Sequence, residues 1–350
     1  MAAGPVLADL PLGKADAAAT LAAFRDSCPR VLSRGDQSGL TKPADWRPVC
    51  DAATDWPSDD AVRFFTTQFE AVRVGDGSTF ATGYYEPEIA GVRSRQPGFD
   101  TPVYSLPPDL VRARPGDAAP APDGRMPPGR YDESGHFVPY WDRAAIEGGV
   151  LTGRSLEIAW VADPVEFFFL QVQGSGRLRA PDGSVMDIAY AGQNGLGYVN
   201  IGAIMKTQGL IGSGPGQYSG SMQGVMRYLR DHPRDGRELM QQNPSWVFFR
   251  ELIGEGPVGA LGVTIRRQSA VAVDPLYVPL GAPVWLETDR PEANGLWIAQ
   301  DTGGAIKGAN RFDTFWGNGA DARKIAGGMS AHGHALLLLP KGTLARLRSR

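Results

Sequence analysis

Glycine and proline constrain this chain more than any other feature. There are 45 Gly and 28 Pro among 350 residues, about a fifth of the total where about 12% is usual. Both residues punctuate helices and mark turns, so the sequence predicts many turns and short strands. Hydrophobic residues at 42% and aromatics at 9% are enough for packed cores and exclude a disordered chain. The length suits two domains. The longest apolar run, 335–339, falls far short of the roughly 18 residues of a membrane-spanning helix. Lys and Arg number 35 against 38 Asp and Glu, a net charge of −3. That disfavours a nucleic-acid partner, because neutralising phosphates takes a basic surface.

Periodicity places helices near the amino end. Leu21, Phe24, Cys28 and Val31 share one face of a helix over 17–32, and Val62, Phe65, Phe69 and Val72 share one face of a second helix capped by Ser58. Strands are expected at 79–82, 156–161, 246–249, 258–265, 284–287, 296–299 and 335–339, with a turn at 181–184 interrupting a strand pair over 176–190. Residues 105–130 hold seven prolines and predict a loop without secondary structure. Met222, Val225, Met226 and Leu229 mark a helical stretch over 219–242. Regular βαβ alternation is missing, which disfavours a doubly wound sheet. The expected class is mainly β with helical additions.

Residues 1–5 carry neither a basic nor an apolar leader region. The chain is therefore expected either to be cytosolic or to start after a removed leader. Cys28 and Cys50 are too far apart for a Cys-x-x-Cys motif and leave two readings, a disulfide or two buried thiols. The disulfide is the expectation, tying an amino-terminal helix to a loop, and it favours an oxidising compartment. Four scattered histidines (His136, His232, His332, His334) and no cysteine cluster predict no metal and no cofactor. His332 and His334 point the same way on a strand approach. Residues 317–322 fit the loose dinucleotide fingerprint, but they are expected to follow an aromatic turn and read as coincidence.

Three clusters carry chemistry. In the first, an apolar strand over 296–299 delivers Asp301, followed by Gly303, Gly304 and Lys307, and Asp313 sits among Phe312, Phe315 and Trp316. Rings that desolvate Asp313 would raise its pKa and let it hold a proton, while Lys307 would keep Asp301 ionised. Two carboxylates in opposed environments suit glycosidic-bond chemistry; the alternative is two structural aspartates, one capping a turn and one paired with Lys307. In the second, Gln171 and Gln173 alternate on one face of a strand running into Gly174 and Ser175, a polar surface suited to sugars or simply an amphipathic strand. In the third, Tyr84, Tyr85 and Glu86 offer aromatic platforms for sugar faces, or else buried tyrosines.

Tyr84-Tyr85-Glu86-Pro87, Val172 to Gly176, Tyr190 to Gly195, Asn243 to Phe249, and Asp301 to Gly308 with Phe312-Asp313 resemble, in order and content, the membrane-bound lytic murein transglycosylase A family. The resemblance implies a double-psi β-barrel built from both chain ends with a second β-barrel inserted, divided as 1–87, 88–239 and 240–350. It implies non-hydrolytic cleavage of the β-1,4 bond between N-acetylmuramic acid and N-acetylglucosamine in peptidoglycan. Asp313 and Asp301 would be catalytic, and Tyr84, Tyr85, Glu86, Gln171, Gln173, Gly174, Ser175, Asn194 and Lys307 would bind substrate. Asp274, the third aspartate of the carboxyl-terminal module, would be architectural. A monomer in the periplasm follows, associated with the outer membrane through a lipid anchor where one is present. The alternatives are an inverting glycoside hydrolase on a similar barrel and a non-catalytic expansin-like wall-binding protein.

Overall fold

In the computed structural model, which describes residues 1–121, 124–253 and 256–349, the amino-terminal apolar face forms as its spacing predicts. Leu21, Phe24, Cys28 and Val31 are buried on the helix Lys14–Val31. Cys50 is not on a loop. It lies on a second helix, Pro43–Asp55, whose interior Pro48 masked the pattern. That helix starts with Pro43 in its first turn, and Asp45 accepts the backbone N–H of Lys42 at 2.8 Å. The Cys28–Cys50 disulfide joins the two helices. The helix expected from Ser58 is cut short: Ala61–Gln68 ends, and Phe69 and Val72 continue as a strand, Phe69–Arg73. Pairing with Ser330–Pro340 overrides the helical spacing while keeping both residues buried.

The chain divides into two compact units, Met1–Tyr85 with Glu255–Arg350, and Glu86–Gly254. The first holds a sheet of eight strands, in the order Ala2–Ala3, Phe69–Arg73, Ser330–Pro340, Pro283–Thr288, Gly295–Asp301, Ala270–Ala272, Arg311–Asn318 and Ser78–Glu86. Ser78–Glu86 also pairs back onto Ser330–Pro340, from Ser330↔Thr82 to His334↔Ser78, so the last six strands in that order after Phe69–Arg73 close into a ring. Gly83 is required here: a Cβ on it would lie 2.9 Å from both Trp316 Nε1 and the Ala326 Cα. Residues 258–265 form turns with one bridge, Val258↔Thr264, in place of the expected strand. Arg311–Asn318 is a strand, not an aromatic turn, so residues 317–322 do follow a strand and lead into the helix Ala320–Gly327. Its antiparallel pairing with Ala270–Ala272 still separates it from a dinucleotide-binding βαβ unit.

The second unit contains a six-stranded sheet in the order Val247–Glu251, Val185–Gln193, Ser175–Arg179, Glu88–Val92, Glu157–Val161 and Thr101–Tyr104. Phe167, Leu170, Trp246, Phe248 and Phe249 fill its core. The predicted strand pair forms, antiparallel from Ser175↔Ala189 to Arg179↔Val185. The helical stretch becomes two helices, Met222–Asp231 and Pro233–Gln241, meeting at His232 before the helix-starting Pro233. The proline-rich segment is not wholly irregular: Val111–Arg112, Pro128–Tyr131 and Phe137–Val138 form a small sheet, and residues 122–123 lie outside the described residues. A boundary at 239/240 would cut the helix Pro233–Gln241, whereas pairing of Val247–Glu251 with Val185–Gln193 keeps the chain in this unit to 254.

Candidate active site

The period of a strand puts Phe80, Thr82 and Tyr84 on one face of Ser78–Glu86. Two of them hold the two acids. Thr82 Oγ1 donates to Asp313 Oδ1 at 2.7 Å, and the Tyr84 hydroxyl donates to Asp301 Oδ2 at 3.0 Å. The acids come from strands on either side of Ala270–Ala272, where Ala272 stands opposite Asp301 on one side and Asp313 on the other. A bulge between Val271 and Ala272 sets that register.

Burial pushes the Asp313 carboxyl up to about 6. The nearby Asp301 charge adds to the shift, and the Thr82 hydrogen bond and the Arg311 guanidinium oppose it. As a residue Asp313 is nevertheless only partly buried. The expected ring of three aromatics is corrected by the strand's alternation, which gives Asp313 only Phe315 as a neighbour on its own face, with Phe312 and Trp316 buried on the other. Asp301 Oδ1 accepts from the backbone N–H of Ala260 and of Thr302, both at 2.9 Å. Burial raises its pKa as well, against those bonds and the Tyr84 hydroxyl. The expected pairing with Lys307 is absent: Lys307 is exposed and meets no carboxylate among the described residues, so no ammonium holds Asp301 ionised.

Tyr84 is buried, its ring 5.0 Å from Phe315. Burial and the two aspartates drive its phenol well above the ordinary tyrosine range. Tyr85 and Glu86 are buried as well, so the tyrosines are not open platforms for sugar rings. Asp274 is buried, and its carboxylate accepts from Leu276 N at 3.1 Å and Gly308 N at 2.7 Å. It fixes the far end of the loop that begins at Asp301.

Sequence reasoning missed Thr82 and Arg311. Arg311 Nη2 donates to Thr82 Oγ1 at 2.9 Å, and its guanidinium lies 4.7 Å over the ring of Phe80, on which His332 is stacked at 4.8 Å. The available signal was the i, i+2 spacing of Arg311 and Asp313, which places them on one strand face.

The glutamine cluster is a helix, Pro164–Gln173, not a strand. Its boundary signals are complete: Asp163 caps Val165 and Glu166, Pro164 opens the first turn, and Gly174 closes it at φ 82°. Gln171 is buried. Its Oε1 accepts from Arg143 at 2.8 Å and its Nε2 donates to the Val247 carbonyl at 3.2 Å. Asn194 is fully buried, donating to the Trp141 and Pro244 carbonyls and accepting from Trp246 N. Both side chains are buried and hydrogen-bonded within their own unit, whereas the sequence expectation has them as substrate contacts. Gln173 is partly exposed at the helix end, and Ser175 opens the following strand opposite Ala189.

Residues 80–250 match the MltA specific insert domain and residues 269–339 the 3D domain. A membrane-bound lytic murein transglycosylase from Agrobacterium tumefaciens superposes with a TM-score of 0.85 at 30% identity, covering 99% of each chain. MltA from Neisseria gonorrhoeae superposes at 0.79 with 36% identity, over 97% of this chain and 92% of that one. The membrane-bound lytic murein transglycosylase A of Escherichia coli (strain K12) is 29% identical over 348 residues, 94% of this chain and 82% of its own. E. coli MltA with bound chitohexaose superposes at 0.66 with 26% identity, over 97% of this chain and 91% of that one. With likeness along nearly the whole chain, and the paired acids set inside its 3D segment, the chain belongs to the membrane-bound lytic murein transglycosylase A family.

Proposed function

We propose that this chain is a peptidoglycan lytic transglycosylase in which Asp313 serves as both acid and base. The observation that carries this reading is a partly exposed aspartate, held by Thr82, whose carboxyl pKa is raised to about 6, so that a usable fraction holds a proton near neutral pH. Protonated Asp313 donates to the glycosidic oxygen as its bond to the anomeric carbon of N-acetylmuramic acid breaks through an oxocarbenium-like state. The muramoyl 6-hydroxyl then bonds to that carbon and returns its proton to Asp313. The product is a 1,6-anhydro end, and no water is consumed. A nucleophile carried by the substrate gives effective molarities of about 10⁵–10⁸ M in principle, so no second carboxylate need attack. Asp301 supports the acid by its charge, and exposed Lys307 is free to meet the glycan.

The same reading takes the closed ring as a double-psi β-barrel and the sheet of the Glu86–Gly254 unit as the inserted second barrel. It places the protein in the periplasm, as a monomer associated with the outer membrane. The Cys28–Cys50 disulfide supports an oxidising compartment, and the relatives are named membrane-bound. Among the described residues no helix is long and apolar enough to cross a membrane. The test is digestion of purified sacculi followed by mass analysis: anhydromuramoyl ends are expected, and reducing ends would point to a hydrolase.

A further inference from the structure

A threonine hydroxyl has one hydrogen to give and two lone pairs to receive with. Thr82 Oγ1 has Arg311 Nη2 at 2.9 Å, a group that only donates, and Asp313 Oδ1 at 2.7 Å. With Oδ1 the only acceptor this hydroxyl meets among the described residues, its hydrogen goes there. Arg311 is itself fixed, stacked over Phe80 and donating to the Phe312 and Phe80 carbonyls.

We propose that Arg311 and Thr82 are positioning residues that decide which oxygen of Asp313 carries the catalytic proton. Arg311 holds Thr82 as a donor, Thr82 keeps Oδ1 as an acceptor, and the proton passed to the glycosidic oxygen leaves from Oδ2. This rests on Asp313 being the acid. In the forward step the O–H bond at Oδ2 breaks as the glycosidic oxygen gains that proton and separates from the anomeric carbon. In the second step the same oxygen regains a proton from the 6-hydroxyl as the ring closes. The hydrogen of Thr82 stays where it is throughout.

The charged and titratable groups facing Asp313 are Arg311 on its own strand, Asp301 on Gly295–Asp301 and Tyr84 on Ser78–Glu86. Losing the donor from Thr82, or the cation of Arg311, leaves the carboxylate less favoured. The experiment measures kcat and KM on sacculi across pH for Thr82→Val, Thr82→Ser and Arg311→Met, with a ¹³C NMR titration of the Asp313 carboxyl in each. Thr82→Val is expected to lower kcat about tenfold with KM within about twofold. The alkaline limb of the rate profile and the carboxyl titration should both move to higher pH, and Thr82→Ser should restore both. Arg311→Met should move them the same way. The proposal is overturned if Thr82→Val keeps the parent kcat and titration, or if Thr82→Ser is as impaired as Thr82→Val. Asp313→Asn, assayed alongside, separates the two ideas: undiminished turnover there would reject Asp313 as the acid, whatever the Thr82 variants do.

Discussion

Asn194, in the unit Glu86–Gly254, gives both amide hydrogens to backbone carbonyls and takes the Trp246 N–H in return. Arg143 beside it is bound as fully, to the Asn243 and Ser245 carbonyls and to Gln171, with the rings of Phe168 and Trp246 against its guanidinium. Asp313, in the other unit, is hydrogen-bonded through Oδ1 to Thr82, stays partly open, and has its pKa raised. A polar group buried with its bonds complete gains order and loses reactivity. One desolvated with its bonds incomplete keeps a proton to trade. Two polar neighbourhoods thus differ in kind: one has its bonds complete, and the other holds a carboxyl with a raised pKa.

The sharpest contrast comes from Asp313→Asn, expected to cut turnover about 10³-fold while the thermal unfolding midpoint barely moves. Equal loss of both would erase the distinction. Arg143→Met is the mirror image. It strands Gln171 and two carbonyls in the core, so stability measured by urea unfolding should fall by about 2–4 kcal/mol, with the pH optimum of the surviving activity unmoved. Opening the Cys28–Cys50 bridge by double substitution to serine should cost up to about 3 kcal/mol, since the bridge closes a loop of 22 residues. That loss belongs to the catalytic unit, yet like the Arg143 effect it should leave the pH profile alone.

Smaller still is a pH effect on stability. Burial holds Asp16 at about 6 in the fold, against the bond it accepts from Leu296 N, and an unfolded carboxyl titrates near 3.8. Because the folded value is the higher one, its contribution is fully present below about pH 3.8 and is lost as pH rises through about 6. Asp16→Asn should flatten that fall by on the order of 1–2 kcal/mol, allowing for partial solvent screening, as denaturation curves at pH 4 and pH 7 would reveal. Lys307→Ala should be the mildest change, raising KM a few fold as an exposed cation loses a screened contact and leaving kcat intact.

Asp313 and Asp301 could be picked out from the sequence because each stands in a dense local motif. Their partners could not: Thr82 and Asp313 are 231 positions apart, and only closure of the ring brings them together. Ala270–Ala272, the strand between the acids, has just three residues and gives no periodic signal. The helix Pro164–Gln173 departs from expectation for a different reason. Its Asp-Pro start and glycine stop stand in the sequence, but the i, i+2 spacing of Gln171 and Gln173 also fits a strand. The buried Gln171 and Asn194 show the remaining gap, since sequence displays a polar side chain without showing whether its bonds are already complete.

The ring of the first unit takes Ser78–Glu86 from before the insert and Ser330–Pro340 from near the other end, hydrogen-bonded edge to edge. On a nascent chain those edges emerge far apart in time, so contacts of this sequence separation form slowly and late. Thr82 and Asp313 lie 231 positions apart, so the buried carboxyl with its raised pKa exists only once both ends of the chain have joined the ring.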